Sequence, residues 1–366
     1  MKVLLINNFS QNLLVGGVEN YLVELLKYNN SINSKIEFYW YGKDSKETNW
    51  IQKFYNYSTT SEIKRIIDSF KPDLIHCFGI GAPVTPQFLK YAKQKNIPIL
   101  FSFRDYYYQF NEDNVHIIEL DPKKNFIYNI LLSAKRKYHK KIIKEHASYF
   151  LTPSNQLTET VKQNFNLKGE TLHNPVLVTN DPAVDNEEFL LFVGRLEKGK
   201  GVLTLIESFA EVLKEFPNEK LVLAGEGNIK KNIEDFIKKN KLENNISLVG
   251  KKIKSELENY YSKCKFVILP SEILEGYGNV VLEAHAYGKA VIISDFVGVK
   301  DEVIKYNSGL VFSHGNTSEL TNQIKKLLTD DILKNEFAKN GKKFISERSM
   351  DSHFNELVNI YNRLVL

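Results

Sequence analysis

At 366 residues the chain is longer than one ordinary domain and suits two; 43% hydrophobic and 25% charged residues describe a soluble, globular protein with enough apolar content for real cores. The net charge of +5 is mild: it fits a solvated basic surface or anionic partners such as phosphorylated substrates or lipid, and no nucleic-acid partner is expected. No run nears the roughly 20 apolar residues that span a bilayer, and the two cysteines, Cys77 and Cys264, sit in apolar segments that suit buried thiols and a reducing cytoplasm.

The N-terminus turns polar after Val3–Ile6, which predicts a first strand and not a secretory leader. Further strands are predicted over Ile36–Trp40, Leu74–Phe78, Ile97–Phe103 and Tyr149–Pro153, with helices near 18–28, 61–70, 84–95, 126–147 and 155–164. From Gly169 to Asn186 the rhythm breaks, with Pro175, Pro182 and several Asn and Asp residues, which marks a connection. Alternation restarts with strands at Phe189–Val193, Leu221–Ala224, Ile246–Val249, Phe266–Pro270, Ala290–Ser294 and Gly309–Phe312. Helices fall near 201–216, 229–240, 255–263, 279–287, 317–328, 331–346 and 351–365. Such alternation means parallel sheets covered by helices. The expected division is residues 1–170, a linker at 171–188, and 189–350, with helix 351–366 packing back on the first domain. Two doubly wound domains facing one another would place a cleft at the carboxyl ends of both sheets.

The chemistry concentrates in the second half. Gly194-Arg195-Leu196-Glu197-Lys198-Gly199-Lys200-Gly201 follows a strand directly, so Arg195 sits at its carboxyl end and Lys200 at the start of the next helix. Two fixed cations there can neutralise a diphosphate leaving group, while Lys198 reads as a solvated loop residue. Gly225-Glu226-Gly227, Gly250 and Ser271 end three more strands and describe one rim of a crevice. Glu275-Gly276-Tyr277-Gly278-Asn279-Val280-Val281-Leu282-Glu283 follows the strand ending at Pro270. A strand, a glycine-containing turn and a helix N-terminus hold phosphate well, since free backbone N–H groups point outward there. The flanking carboxylates Glu275 and Glu283 suit hydroxyl groups, so the ligand carries both phosphate and polyol, as a nucleotide-sugar does. The sequence contains no Asp-x-Asp triplet of the kind that holds a divalent metal on a diphosphate, which favours metal-independent chemistry.

These motifs, with Gly16-Gly17-Val18-Glu19 after the first strand, resemble the retaining glycosyltransferases of family 4, which have the GT-B fold, over nearly the whole chain. The resemblance implies two Rossmann-like domains, no metal or other cofactor, a nucleotide-sugar donor of the UDP or GDP type, and a glycan or lipid-linked acceptor in bacterial surface polysaccharide assembly. It assigns Arg195 and Lys200 to the donor diphosphate, Glu275 to the donor sugar and Glu283 to the ribose. The turn Gly276-Tyr277-Gly278 and the backbone at Asn279 and Val280 complete the phosphate cradle. The backbone near Gly250 and Lys251 would meet the base, Gly225 lines the donor rim, and the Gly16-Gly17 loop closes over the phosphates.

On the acceptor side the chain departs from the pattern. Where many relatives carry a histidine after the fourth strand, this sequence has Ser102-Phe103-Arg104-Asp105-Tyr106. Guanidinium stays protonated, so Arg104 is no general base. Asp105 either orients or deprotonates an acceptor hydroxyl or pairs with Arg104. The departing phosphate can itself accept the acceptor proton in a front-face transfer. His76 ends the third strand, as a cleft residue or a satisfied core histidine. The cluster Tyr106-Tyr107-Tyr108-Gln109-Phe110 either stacks on an acceptor sugar or packs. Residues 126–144 interleave Phe126, Ile127, Ile130, Leu131, Tyr138, Ile142 and Ile143 with six basic residues. That pattern suits either a helix lying on anionic lipid at the inner face of the cytoplasmic membrane or a core helix with a solvated basic face. Two other functions fit the same fold: a non-catalytic partner subunit, supported by Arg104 alone, and a nucleotide-sugar epimerase.

Overall fold

The computed structural model describes residues 1–13, 16–108, 126–177 and 188–366; Gln109, Phe110 and the expected connection from residue 178 to 187 lie outside them. The chain divides into two compact units, Met1–Pro175 with Met350–Leu366, and Val176–Ser349.

The first unit runs β1 (Lys2–Phe9), α1 (Gly17–Ser31), β2 (Glu37–Lys43), α2 (Trp50–Phe54), α3 (Tyr57–Phe70), β3 (Leu74–Cys77), α4 (Phe88–Gln94), β4 (Ile99–Ser102), α5 (Phe126–His146), β5 (Tyr149–Thr152), α6 (Asn155–Phe165) and β6 (Gly169–Thr171). The strands form one parallel sheet in the order β2-β1-β3-β4-β5-β6, with Val3 opposite Leu74 and Leu5 opposite His76. Val3–Ile6, β3 and β4 are wholly buried, which is why they read as unbroken apolar runs: helices cover both faces of such a sheet. Side-chain caps start the helices, Asn56 accepting from the Thr59 N–H before α3 and Ser154 from the Leu157 N–H before α6.

The second unit runs β7 (Phe189–Val193), α7 (Val202–Val212), β8 (Leu221–Ala224), α8 (Lys230–Lys239), β9 (Ile246–Gly250), α9 (Lys254–Lys263), β10 (Cys264–Leu269), α10 (Asn279–Ala286), β11 (Ala290–Ser294), α11 (Lys300–Tyr306), β12 (Gly309–Phe312), α12 (Thr317–Thr329) and α13 (Asp331–Ser346). Its parallel sheet has the order β12-β11-β10-β7-β8-β9, the arrangement of a dinucleotide-binding doubly wound sheet. One core cluster around Phe192, Phe209 and Phe266 and another around Leu191, Tyr261 and Ile293 account for its interior.

Three elements depart from the sequence expectation. Gly169–Thr171 is an edge strand paired with β5, although it lies in the stretch read as a connection; half-buried and without an apolar pattern, it carries no strand signal. The helices α2 and α11 are only five and seven residues long, too short for a readable period. The last helix, α14 (Met350–Val365), returns to the first unit. Its Phe354, Leu357, Ile360 and Tyr361 enter the cluster formed by Val3, Leu5, Tyr21, Leu74 and Phe78.

Among the described residues four histidines are buried with these cores. Burial lowers His139 and His285 to about 4 and His353 to about 3, and holds His76 well below its ordinary value. The unfolded chain therefore binds protons that the folded chain refuses. Their stabilising contribution is complete above about pH 6.5 and is lost as pH falls from 6.5 toward 4, at about 1.4 kcal/mol per pH unit for each histidine. Glu283, whose carboxyl burial pushes up, offsets part of this. Urea midpoints should fall clearly between pH 7 and pH 5; equal midpoints would contradict the burial of these rings.

Candidate functional site

In the second sheet the strand order reverses between β7 and β10, and ligands of open α/β sheets bind beyond the carboxyl ends at such a point. Lys200 arrives there from a 3-10 turn, Lys198–Lys200, that closes on Gly201. Gly201 has φ +66°, and a Cβ on it would lie 1.8 Å from the Pro270 carbonyl oxygen, so only glycine lets this turn sit on the end of β10. The Gly199 carbonyl accepts from the N–H groups of Glu272 (2.9 Å) and Ile273 (3.1 Å), which locks the two loops together. As a result Lys200 Nζ stands 3.1 Å from Glu275 Oε1, with 15% and 14% of the two side chains exposed.

The Ser271 hydroxyl donates to the same Oε1, and the Ser294 hydroxyl fixes the Ser271 carbonyl at 2.6 Å. The Glu275 N–H donates to the Phe296 carbonyl at 2.9 Å. Both partners of the Glu275 carboxylate fall on one oxygen, and Oε2 has none among the described residues. Beyond Glu275, Gly278 takes φ +110° and opens α10, whose first-turn N–H groups lack intrahelical acceptors. On the same helix Glu283 is half-buried, and its Oε2 accepts the Tyr261 hydroxyl at 2.6 Å. Burial holds its carboxyl up, while the Tyr261 bond and the Lys254 charge pull it down.

The other predicted donor residues divide. Arg195 follows β7 but is exposed, paired with Glu197 at 2.7 Å. Gly225 follows β8 and Gly250 ends β9, with Lys251 next to it exposed, and Gly276 is buried. The Tyr277 side chain is 3% exposed in the core, so only its backbone faces the turn; its carbonyl accepts the Val299 N–H. Val280 lies in the first turn of α10 beside Asn279. The sequence carried no sign of the Tyr261 bond to Glu283, nor of the Phe296–His314 stack next to Glu275, whose His314 ring is held by Asp295 at 3.0 Å.

In the first sheet the order reverses between β1 and β3. Gly16 caps α1, which begins at Gly17, and both are exposed. Buried Glu19 accepts the Gly16 N–H at 2.9 Å and the Asn7 amide at 2.6 Å, tying the helix start to β1. Leu14 and Val15 of this loop lie outside the described residues. Arg104, two residues beyond β4, donates from Nη1 to Asn174 Oδ1 at 2.5 Å, with its guanidinium 4.5 Å from the Tyr21 ring centroid and 5.5 Å from that of Phe78.

Asp105 does not pair with Arg104: it accepts the Tyr107 N–H at 2.9 Å and is exposed. His76 is fully buried, with Nδ1 on the Tyr361 hydroxyl and Nε2 on the Ser102 hydroxyl, both at 2.7 Å. This is a satisfied core histidine with no nitrogen left for a ligand. Tyr106 and Tyr108 pack in the core, the latter donating to the Ile80 carbonyl at 2.6 Å. Helix α5 exposes Ile130, Leu131 and Tyr138 beside exposed Lys137, Lys141 and Lys144, and buries Ile143; the side chains of Phe126 and Ile127 lie outside the described residues.

Residues 179–344 match the family model for glycosyl transferases group 1. An uncharacterized glycosyltransferase of Methanocaldococcus jannaschii is 30% identical over 235 residues, 63% of this chain and 64% of that protein. An N-acetylgalactosamine-N,N'-diacetylbacillosaminyl-diphospho-undecaprenol 4-alpha-N-acetylgalactosaminyltransferase of Campylobacter jejuni is 29% identical over 231 residues, 60% of this chain and 62% of that one. The chain thus spans less than two thirds of the length of these curated relatives. In structure it resembles sucrose-phosphate synthase of Thermosynechococcus elongatus, with a TM-score of 0.77 over 99% of this chain and 98% of that one at 17% identity, a likeness of fold alone. The fold is GT-B, with two parallel six-stranded sheets.

Proposed function

We propose that this chain, which carries a group 1 glycosyl transferase domain at residues 179–344, is a retaining glycosyltransferase. It moves a sugar from a UDP- or GDP-type donor to a hydroxyl of a glycan or lipid-linked glycan. One observation carries the reading: Glu275 and Glu283 lie on either side of the α10 N-terminus, each with one oxygen held by an internal hydroxyl and the other without a described partner. A carboxylate fixed in this way is preorganised to accept hydroxyl hydrogen bonds, and the helix end between the two suits phosphate.

In this reading Glu275 takes the hydroxyls of the donor sugar and Glu283 those of the ribose, while Lys200 neutralises the diphosphate. Arg195 joins Lys200 by giving up its exposed pair with Glu197, a contact worth at most about 1 kcal/mol. The acceptor oxygen bonds to the anomeric carbon as the bond to the diphosphate breaks, and the leaving phosphate takes the acceptor proton. The Gly16-Gly17 loop, Gly225, and the backbone at Gly250 and Lys251 serve the donor. Asp105 is exposed and available to orient the acceptor.

The Campylobacter jejuni relative is named for a lipid-linked acceptor. Helix α5, with exposed apolar and lysine side chains together, favours peripheral contact with an anionic membrane in the cytoplasm. Among the described residues no helix is long and apolar enough to cross a membrane. Sedimentation with vesicles should show binding to anionic and not to zwitterionic lipid, lost at high salt. The function itself is tested by thermal-shift titration with nucleotides and nucleotide-sugars, where a ligand at 100 times its Kd adds about 2.7 kcal/mol. A uridine or guanosine diphosphate sugar should stabilise the protein and be slowly hydrolysed. If no nucleotide stabilises it, the reading fails.

A further inference from the structure

Arg104 is a half-buried cation that no described carboxylate neutralises. Its Nη1 donates to the neutral Asn174 amide, and its other recorded contacts are the Tyr21 hydroxyl and the faces of Tyr21 and Phe78. The adjacent carboxylate, Asp105, turns one oxygen to the Tyr107 N–H and makes no ion pair with Arg104. The Arg104 charge also helps to keep the buried His76 and His353 neutral, as expected of a cation without a counter-ion. Taking a charge out of water is costly unless it is paired. Stacking on the Tyr21 and Phe78 rings offsets part of that cost but supplies no counter-charge.

The place matters equally. Phe78 directly follows β3 and Tyr21 lies on the helix that follows β1, the two strands between which the first sheet reverses its order. Guanidinium has five donors in a planar fork, and Asn174 and Tyr21 account for two. We infer that Arg104 anchors an oxyanion site on the acceptor side, so that the acceptor carries a phosphate or carboxylate group. The inference deepens the transferase reading above and rests on it. It also gives a reason for arginine where relatives of the resembled family have histidine: the residue recognises acceptor charge and leaves proton removal to the donor phosphate.

The full chain, with its donor site filled by saturating UDP or GDP, is titrated with glucose 6-phosphate, glucuronic acid and glucose. One or both acids should bind while glucose does not, and inorganic phosphate should compete. A response to the phosphate alone or to the carboxylate alone identifies which group the site takes. Arg104→Gln should weaken acid binding about tenfold or more, and Arg104→Lys by less, because lysine keeps the charge without the fork. Circular dichroism shows whether each variant folds, and the preference of the unmodified protein stands as a test without them. Glucose binding as tightly as either acid, no response to any of the three, or a folded Arg104→Gln protein with unchanged affinity would overturn the inference. Failure of the unmodified protein to bind either nucleotide would strike the transferase reading instead.

Discussion

Replacing Lys200 by alanine is expected to cut nucleotide-sugar turnover by about two to three orders of magnitude, the usual cost of removing one preorganised electrostatic group from a reaction centre. Two effects add. The cation proposed to meet the developing charge on the diphosphate is gone. In addition, Glu275, only 14% exposed, loses the partner 3.1 Å away that balances it. Lys200→Arg keeps the charge but not the point geometry and should recover part of the loss. Glu275→Gln retains the cation and alters the hydroxyl acceptor, so it should slow turnover with less effect on binding of the free nucleoside diphosphate. Lys200→Ala should weaken that binding directly. Steady-state kinetics with nucleotide binding measured in parallel separates the two. A Lys200→Ala protein within a few-fold of the parent would remove this cluster from the proposed mechanism.

Ending the chain after Ser349 should unfold the first unit. Helix α14 buries Phe354 and Leu357 at 3% and 0% exposure, and Ile360 and Tyr361 at 2% and 0%. At roughly 1.5–3 kcal/mol for each such side chain, about 6–12 kcal/mol of apolar burial is lost, against a typical domain stability of about 5–15 kcal/mol. Polar losses deepen the effect. His76 Nδ1 loses the Tyr361 hydroxyl, and the Tyr21 hydroxyl loses His353 Nε2 at 2.8 Å. The second unit makes its own clusters without this helix and should keep a cooperative transition. Differential scanning calorimetry of the truncated chain should therefore show one surviving transition and a loss of helix and sheet signal by circular dichroism. A truncated protein with the melting profile of the full chain would contradict this account. Tyr361→Phe is the milder probe: it leaves His76 Nδ1 unsatisfied and should cost about 1–3 kcal/mol.

The strands were legible because parallel sheets covered on both faces leave no room for alternation. Leu221–Ala224 and Ala290–Ser294 appear in the sequence as unbroken apolar runs and are wholly buried. The helices were legible where they were long enough to repeat a buried stripe, as in α14. Where an element was short or lay at an edge, as in α2, α11 and β6, its burial left no pattern. Within the site, the nearness of Glu275 and Glu283 to a helix start could be read from local spacing. The core burial of the Tyr277 side chain could not, because it sits between glycines in a turn and packs against residues from other elements.

Local order along the chain was enough to establish two doubly wound sheets and to place Arg195, Lys200, Glu275 and Arg104 beyond their strand ends. Backbone propensity and apolar periodicity act over a few residues, so they are written contiguously. Which side chains share a hydrogen bond or a charge is settled by packing between distant segments. His76 meets Tyr361 from 285 positions away, and Arg104 meets Asn174 from 70. Folding therefore decided that His76 is a core residue, that Asp105 does not neutralise Arg104, and that Lys200 and Ser271 converge on a single oxygen of Glu275. The His76 and Glu275 outcomes depend on contacts largely removed from water, whose energy exists only once both partners have been brought out of water together.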